Sequence, residues 1–587
     1  MPEILALYAP FDILPSVSEL QPRQTSPAST ACLVYEDRGQ LATQKGLQAD
    51  TIPPVEAQSR WAMLCHGSAP ELQLASHAGG LVVAALGALE NHAALAREVG
   101  LAATAGIAEV LLGQLRALLA TETMAEALLQ LRQRLKGYLG LIVHQLNAPD
   151  ELYACSLGWP LHLGVRNGQL QLCGSELSLV RQLCSQTHTV QSGEVLRFGK
   201  EAPVALHGDG SLHPVALLPS SQQARLPHFM LEEIYAQPGV LASLASQEVQ
   251  GQSQISPALR QELAGISHVL LLACGSSFHS AQIASYWLET LGGVTVQVEL
   301  TSEYRYRDTQ PPLHTLVIAI SQSGETSDTL ASLRHTQAQG LQCSVAISNT
   351  ASSSLVKLAR YHILPSAGIE RAICSTKTFT AQLLALYQLA LALGRARGRV
   401  SAEREQEARE EMLRLPALIN ATLQLAPLIR EWAQRLARQQ NLFVIGRNIH
   451  YPVAMEGAFK LKEVAYLHAE GFPAGELKHG PITLVDGSLP VVACLPWNLH
   501  AEKALANLQE VRARSGEIFA FTDAALAPVE RFHVIRLPAG LTDLSPLIYT
   551  VALQLLAYYC AVIRGNDIDT PRNLAKSQDS EIPAAAG

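Results

Sequence analysis

Apolar and polar positions fall into two regimes along this chain. Within residues 1–225, short apolar runs such as Leu81-Val82-Val83-Ala84-Ala85, Leu141-Ile142-Val143 and Leu161-His162-Leu163-Gly164-Val165 are bounded by turn residues and predict strands. The Ala/Leu-rich stretch from Ile107 to Leu135 instead repeats its apolar positions with helical spacing. Strands around one helical block predict a layered α+β domain. A polar patch from Pro219 to Gln223 then leads to Pro227-His228-Phe229-Met230-Leu231, a linker running into a helix, over 226–255.

From residue 256 the order becomes strand, glycine turn, helix, strand, helix, which predicts a doubly wound parallel sheet of α/β class. The order occurs twice. His268-Val269-Leu270-Leu271-Leu272-Ala273-Cys274-Gly275 opens the first copy and Asn441-Leu442-Phe443-Val444-Ile445-Gly446 the second, and the next strands, ending before Ser321 and at Cys494, keep nearly the same offset. A charged helical connector, Arg395 to Arg414, separates the copies, so 256–415 and 416–587 read as duplicated domains.

Composition narrows the class. The 587 residues are 48% hydrophobic and only 16% charged, which describes well-packed globular structure divided among several cores. A formal net charge of −8, without a Lys/Arg-rich block, speaks against nucleic acid or an anionic membrane as partner. Ten cysteines stand singly, with no C-x-x-C pair and no zinc-like spacing, as expected of buried thiols in a reducing cytoplasm; no metal is implied. The start, Met1-Pro2-Glu3-Ile4, lacks the basic segment of a signal peptide, and the apolar runs Leu81 to Leu89 and Leu383 to Gly394 are shorter than the ~20 residues of a membrane span.

The densest chemistry follows the strand Leu316-Val317-Ile318-Ala319-Ile320. Ser321-Gln322-Ser323-Gly324-Glu325-Thr326 offers hydroxyls, an amide and a glycine turn at the opening of a helix, where unpaired N–H groups and the helix dipole favour an anion. The Gly-x-x-x-x-Gly-Lys pattern of a nucleotide loop is absent, which points to a sugar phosphate and to no nucleotide cofactor. In the second copy the corresponding turn is Leu495-Pro496-Trp497, so only the first can hold the phosphate.

Several further segments carry a family likeness: Ala273 to His279, Ser302-Glu303-Tyr304-Arg305-Tyr306-Arg307, Ser375-Thr376-Lys377, Glu456 to Glu463, Gly475 to Pro481, and Pro571-Arg572-Asn573-Leu574-Ala575-Lys576-Ser577. Together with the Ser321 turn they resemble, in order and spacing over residues 227 to 578, the two sugar-isomerase (SIS) domains of the glutamine–fructose-6-phosphate aminotransferase (isomerising) family. The resemblance implies that Ser277, Ser321, Gln322, Ser323 and Thr326 bind the 6-phosphate, and that Ser276, Ser375 and Ala575 meet the sugar. It implies that Glu463 moves the proton between C1 and C2, a task for one base reaching both carbons. Lys460, three residues earlier on the same helix face, would steady the developing oxyanion or the carboxylate. His479 would open the sugar ring, arriving from the neighbouring subunit of a homodimer, and Lys576 would form the imine.

Residues 1–225 should then be an Ntn-type glutaminase with an N-terminal cysteine nucleophile, and here the chain departs. Pro2 follows Met1, so an N-terminal thiolate activated by its own amine cannot form at this start, and Cys32 sits in the strand-like Ala31-Cys32-Leu33-Val34-Tyr35. Arg60-Trp61-Ala62 resembles the start of a glutamine-binding motif but runs into Met63-Leu64-Cys65-His66-Gly67. Leu86, before Gly87, stands where an amide should donate to the oxyanion; losing such a donor costs about 10²–10³ in rate. The expectation is a degenerate glutaminase-like domain on an isomerase interconverting fructose 6-phosphate and glucosamine 6-phosphate, with ammonia from solution or from a separate glutaminase. A glutamine-dependent synthase, an amino-sugar phosphate deaminase and a non-catalytic sugar-phosphate sensor are the alternatives.

Overall fold

The computed structural model describes residues 253–574 without a break and, before them, residues 3–8, 30–37, 40–48, 61–67, 72–76, 80–89, 91–159, 161–166, 170–175, 180, 184–191, 193–206, 211–219 and 226–249. Two compact units result: Met1–Leu226 with Ala245–Gly251, and Pro227–Leu244 with Gln252–Gly587.

In the first unit two antiparallel sheets form, of eight and seven strands. The strands expected at Leu81, Leu141 and Leu161 are present as Leu81–Leu89, Gly137–Gln145 and Leu161–Arg166. The helical block is broken into Ile107–Leu118 and Met124–Arg134. The break follows from the sequence: Thr123 and Glu126 form a capping box, Thr123 taking the Glu126 N–H while the Glu126 carboxylate takes the Thr123 N–H, and so start a new helix. Both helices bury Leu111, Leu115, Leu128 and Leu131 against Val83, Leu141 and Val143 of the seven-stranded sheet.

In the second unit each copy is a five-stranded, all-parallel sheet. The first runs Thr295–Leu300, His268–Ala273, Thr315–Ile320, Ser344–Ile347, Tyr361–Ile363; the second runs His468–Pro473, Asn441–Gly446, Val491–Cys494, Ile518–Thr522, Phe532–Arg536. In chain order both read 2-1-3-4-5, the doubly wound arrangement whose ligand crevice opens between strands 1 and 3 at their C-terminal ends. Every residue of His268–Ala273 and Thr315–Ile320 is buried, which is why these strands are unbroken apolar runs and do not alternate. The charged connector is the helix Ala402–Leu423.

One continuous helix among the described residues, Ser545–Arg564, is long and apolar enough to cross a membrane, with a mean hydropathy of 1.7, and the sequence reading passed over it. Most of its residues are buried inside the protein, and it packs on the helices His450–Ala465 and Ala426–Leu436, so its apolar surface belongs to the core.

Candidate active site

The 2-1-3-4-5 order places two loops at the first copy's crevice: Cys274-Gly275-Ser276-Ser277 after the first strand and Ser321–Thr326 after the third. In the second loop Ser321 Oγ lies 2.9 Å from Thr326 Oγ1 and accepts the Gly324 N–H at 3.1 Å, while Ser323 Oγ accepts the Glu325 N–H at 3.2 Å. The Gln322 carbonyl is tied to the Asn349 N–H at 3.1 Å. Gly324 adopts φ +68°, and a β-carbon there would lie 2.3 Å from Ser353 Oγ. Thr326 precedes the helix Ser327–Ala338 but gives it no side-chain cap, because its hydroxyl is turned to Ser321. A self-capped helix end is therefore not what this turn builds; the first N–H groups are left for another acceptor. Ser277 hydrogen-bonds both ends of the buried Gln382 amide, at 3.3 and 3.2 Å.

The second copy contributes its first helix, His450–Ala465. Glu456, Lys460 and Glu463 stand at i, i+4 and i+7, which puts all three on one face. That face meets the first copy's helix Gly275–Thr290 in a polar cluster. Lys460 Nζ donates to Glu463 Oε2 at 2.6 Å and to Ser276 Oγ at 2.9 Å, and it lies 3.4 Å from Glu456 Oε1. Ser276 Oγ in turn donates to Glu456 Oε1 at 2.9 Å, and His279 Nδ1 lies 2.6 Å from Glu456 Oε2. The side chains of Lys460 and Glu456 are 1% exposed, and that of Glu463 is 16% exposed.

Sequence spacing alone allowed a surface ion pair worth about 0.5 kcal/mol at Lys460 and Glu463; the burial excludes that reading, because a charge out of water needs its partners. Burial disfavours the ammonium, but Glu463 and Glu456 outweigh it and hold Lys460 above the ordinary lysine range. For Glu456, burial pushes the carboxyl up, while Lys460 and the hydrogen bonds from His279 and Ser276 bring it below its usual value. Glu463, the more open of the two carboxylates, has the same ammonium at hydrogen-bond distance. A carboxylate paired with a fixed ammonium has the chemistry to move a proton and to stabilise an oxyanion.

Ser375 is half-buried at the edge of this region, in a loop shaped by carboxylates. Glu370 accepts the Thr376 and Thr378 N–H groups at 2.9 and 3.2 Å, Glu233 accepts that of Arg371, and the carbonyl of Asp569 accepts that of Ile373 at 3.1 Å. Beside Ser375 the Cys374 thiol is pushed up by burial and then by the neighbouring Glu463. His479 ends the short helix Ala474–His479 and is exposed; among the described residues the cluster's hydrogen bonds do not include it. Ala575 and Lys576 lie outside the described residues. The chain leading to them is anchored to the end of the Glu463 helix, where the Arg572 N–H donates to Tyr466 Oη at 2.8 Å and its guanidinium lies 4.3 Å over the Tyr466 ring.

Sequence reasoning gave no task to Glu456 or His279, although both lie within segments that carried the family likeness. The available signal was the i, i+4, i+7 spacing of Glu456, Lys460 and Glu463. His279 had none, since its partner is 177 positions away.

Residues 262–392 and 435–564 each match the SIS domain family. Over 512 residues the chain is 39% identical to the glutamine–fructose-6-phosphate aminotransferase [isomerizing] of Bordetella parapertussis, covering 84% of this chain and 82% of that protein. Identity to the protein of the same name from Pseudomonas syringae pv. tomato is 39% over 543 residues, covering 89% and 88%. Among solved structures, the C-terminal domain of glucosamine-fructose-6-phosphate aminotransferase from Francisella tularensis superposes with a TM-score of 0.57 at 36% identity, over 59% of this chain and 99% of that one. A putative phosphosugar isomerase from Silicibacter pomeroyi gives 0.50 at 27% identity, over 58% and 99%. With two SIS domains in one chain and relatives matched over most of their length, this protein belongs to the glutamine–fructose-6-phosphate aminotransferase (isomerising) family.

Proposed function

We propose that the chain interconverts fructose 6-phosphate and glucosamine 6-phosphate in the cytoplasm, as a homodimer, with ammonia in place of nitrogen from its own glutamine hydrolysis. The observation that carries the reading is the Ser276–Glu456–Lys460–Glu463 cluster, which joins the two SIS copies through a loop whose strand neighbours the one leading to the Ser321 turn. In this reading Ser277 and the turn from Ser321 to Thr326 anchor the 6-phosphate, and Ser276, Ser375 and Ala575 face the sugar. The partner subunit's His479 opens the ring. The C2 carbonyl is captured by Lys576 or by ammonia, and Glu463 takes the proton from one of C1 and C2 and returns it to the other. Lys460 offsets the negative charge that develops between those steps.

For the nitrogen source, Leu86 is the supporting residue. It is fully buried within the strand Leu81–Leu89, paired with Gly140 and Leu72, and an apolar side chain in that place cannot donate to an oxyanion. Met1, Pro2 and Arg60 lie outside the described residues.

The test incubates the purified protein with fructose 6-phosphate plus either ammonium or glutamine, and separately with glucosamine 6-phosphate, reading sugars and glutamate. Glucosamine 6-phosphate formed from ammonium, with no glutamate above background, is the expected result. Steady glutamate release would return the chain to the glutamine-dependent synthases, and turnover of glucosamine 6-phosphate alone would make it a deaminase. A sensor that only binds has no use for a base paired to a buried ammonium, so Glu463→Gln should abolish turnover while sugar-phosphate affinity is kept.

A further inference from the structure

His279 has no task in the reaction just described, yet it holds the shortest contact to Glu456. Its side chain is 10% exposed, and the ring is packed edge-on against Phe459, 5.5 Å between centroids, and Phe278, 6.2 Å. An ionised carboxylate only accepts, so the hydrogen of this contact is on Nδ1, which donates to Glu456 Oε2 at 2.6 Å. Ser276 donates to the other oxygen at 2.9 Å. Both oxygens of Glu456 are thus engaged from the first SIS copy.

The consequence reaches Lys460. Two carboxylates on its own helix compete for one ammonium, and the contact is 2.6 Å to Glu463 but 3.4 Å to Glu456. The more distant carboxylate is the one already supplied with two other donors. Among the described residues the Cys374 thiol, on the loop facing Glu463, also lies against the cluster. Without the His279 donor, Glu456 Oε2 would lose its hydrogen bond inside the protein, and the Lys460 ammonium, 3.4 Å from Oε1 of the same carboxylate, is the charged donor placed to shift toward it.

We propose that His279 is a positioning residue: by occupying Glu456 across the junction of the two copies, it reserves the Lys460 ammonium for Glu463 and Ser276. The inference rests on the reading of Glu463 as the proton-moving base. A plain structural tie between the copies would cost stability in a His279 variant and leave the folded enzyme's rate alone.

Two variants of the full-length protein separate these accounts. His279→Leu keeps apolar bulk and removes the donor; His279→Asn returns an N–H close to the position of Nδ1, since both branch at the same carbon. With fructose 6-phosphate and ammonium, His279→Leu should lower kcat about 10- to 100-fold while KM for the sugar moves by no more than about threefold, and His279→Asn should recover most of the loss. Wild-type kcat in His279→Leu, or no recovery in His279→Asn, would overturn the proposal.

A second readout needs no turnover. In protein labelled at the lysine ε-carbon, the Lys460 resonance should move in His279→Leu and return in His279→Asn; an unmoved resonance overturns the proposal. Should the wild-type protein prove inert towards both sugars, the functional reading falls, and the resonance still decides whether His279 governs the ammonium.

Discussion

Gly324 shows how closely the turn from Ser321 to Thr326 is drawn to its own scaffold. Its φ of +68° disfavours any side chain, and the space a β-carbon needs is filled by the hydroxyls of Ser353, at 2.3 Å, and Ser348, at 2.8 Å. Gly324→Ala should cost about 1–3 kcal/mol of unfolding free energy and weaken sugar-phosphate binding, measured by denaturant titration and calorimetry. Glu456 supports a prediction in pH. Its folded-state value lies below the ordinary 4.5, so its stabilising effect is complete above the unfolded-state value and is lost as pH falls through the folded one. Lys460 runs the other way, its effect lasting from low pH until the medium climbs past the ordinary 10.5. Glu456→Gln should therefore destabilise the protein by about 3 kcal/mol at neutral pH, a cost that shrinks as the acid limb below 4.5 is entered. Unfolding midpoints across pH would check it; a cost independent of pH would contradict the pairing. At this scale the sequence was only partly legible. The hydroxyl turn declared itself by composition, but nothing local marks a histidine whose partner is in the other copy.

Among the elements, the helix His450–Ala465 is constrained on two faces. One face presents Glu456, Lys460 and Glu463, and another lies so close to Ser545–Arg564 that a β-carbon on Gly457 would be 2.6 Å from Leu553. The polar face can be held against the first copy only while the apolar side seats fully. Gly457→Val should force the helices apart, costing about 1–3 kcal/mol of stability and lowering turnover by more than the fraction unfolded; thermal melts compared with initial rates would show it. Strands were legible because a buried parallel strand is an apolar run closed by turn residues, Cys274-Gly275 after Ala273 and Ser321 after Ile320. The breaking of the Ile107 to Leu135 block was missed because Thr123 and Glu126 form a local signal inside an otherwise continuous apolar period. Ser545–Arg564 was missed as a core helix because an apolar stripe that covers every face has no periodicity to read.

As a whole molecule, the chain contains two compact units with separate cores, one built on antiparallel sheets and one on the duplicated parallel sheets. Scanning calorimetry should resolve two transitions, and fructose 6-phosphate should raise only that of the SIS unit, by about 2.7 kcal/mol at a hundredfold excess over Kd. A shift of both, or of the other alone, would move the sugar site. The duplication was legible because two copies repeat one order of elements; the division of labour between them was not, since it depends on which loops face each other. That division has a lasting consequence. Ser276 and His279 belong to one repeat and Glu456, Lys460 and Glu463 to the other, so neither repeat alone holds the whole polar cluster. The two modules are therefore not interchangeable: separating or swapping them would take the cluster apart.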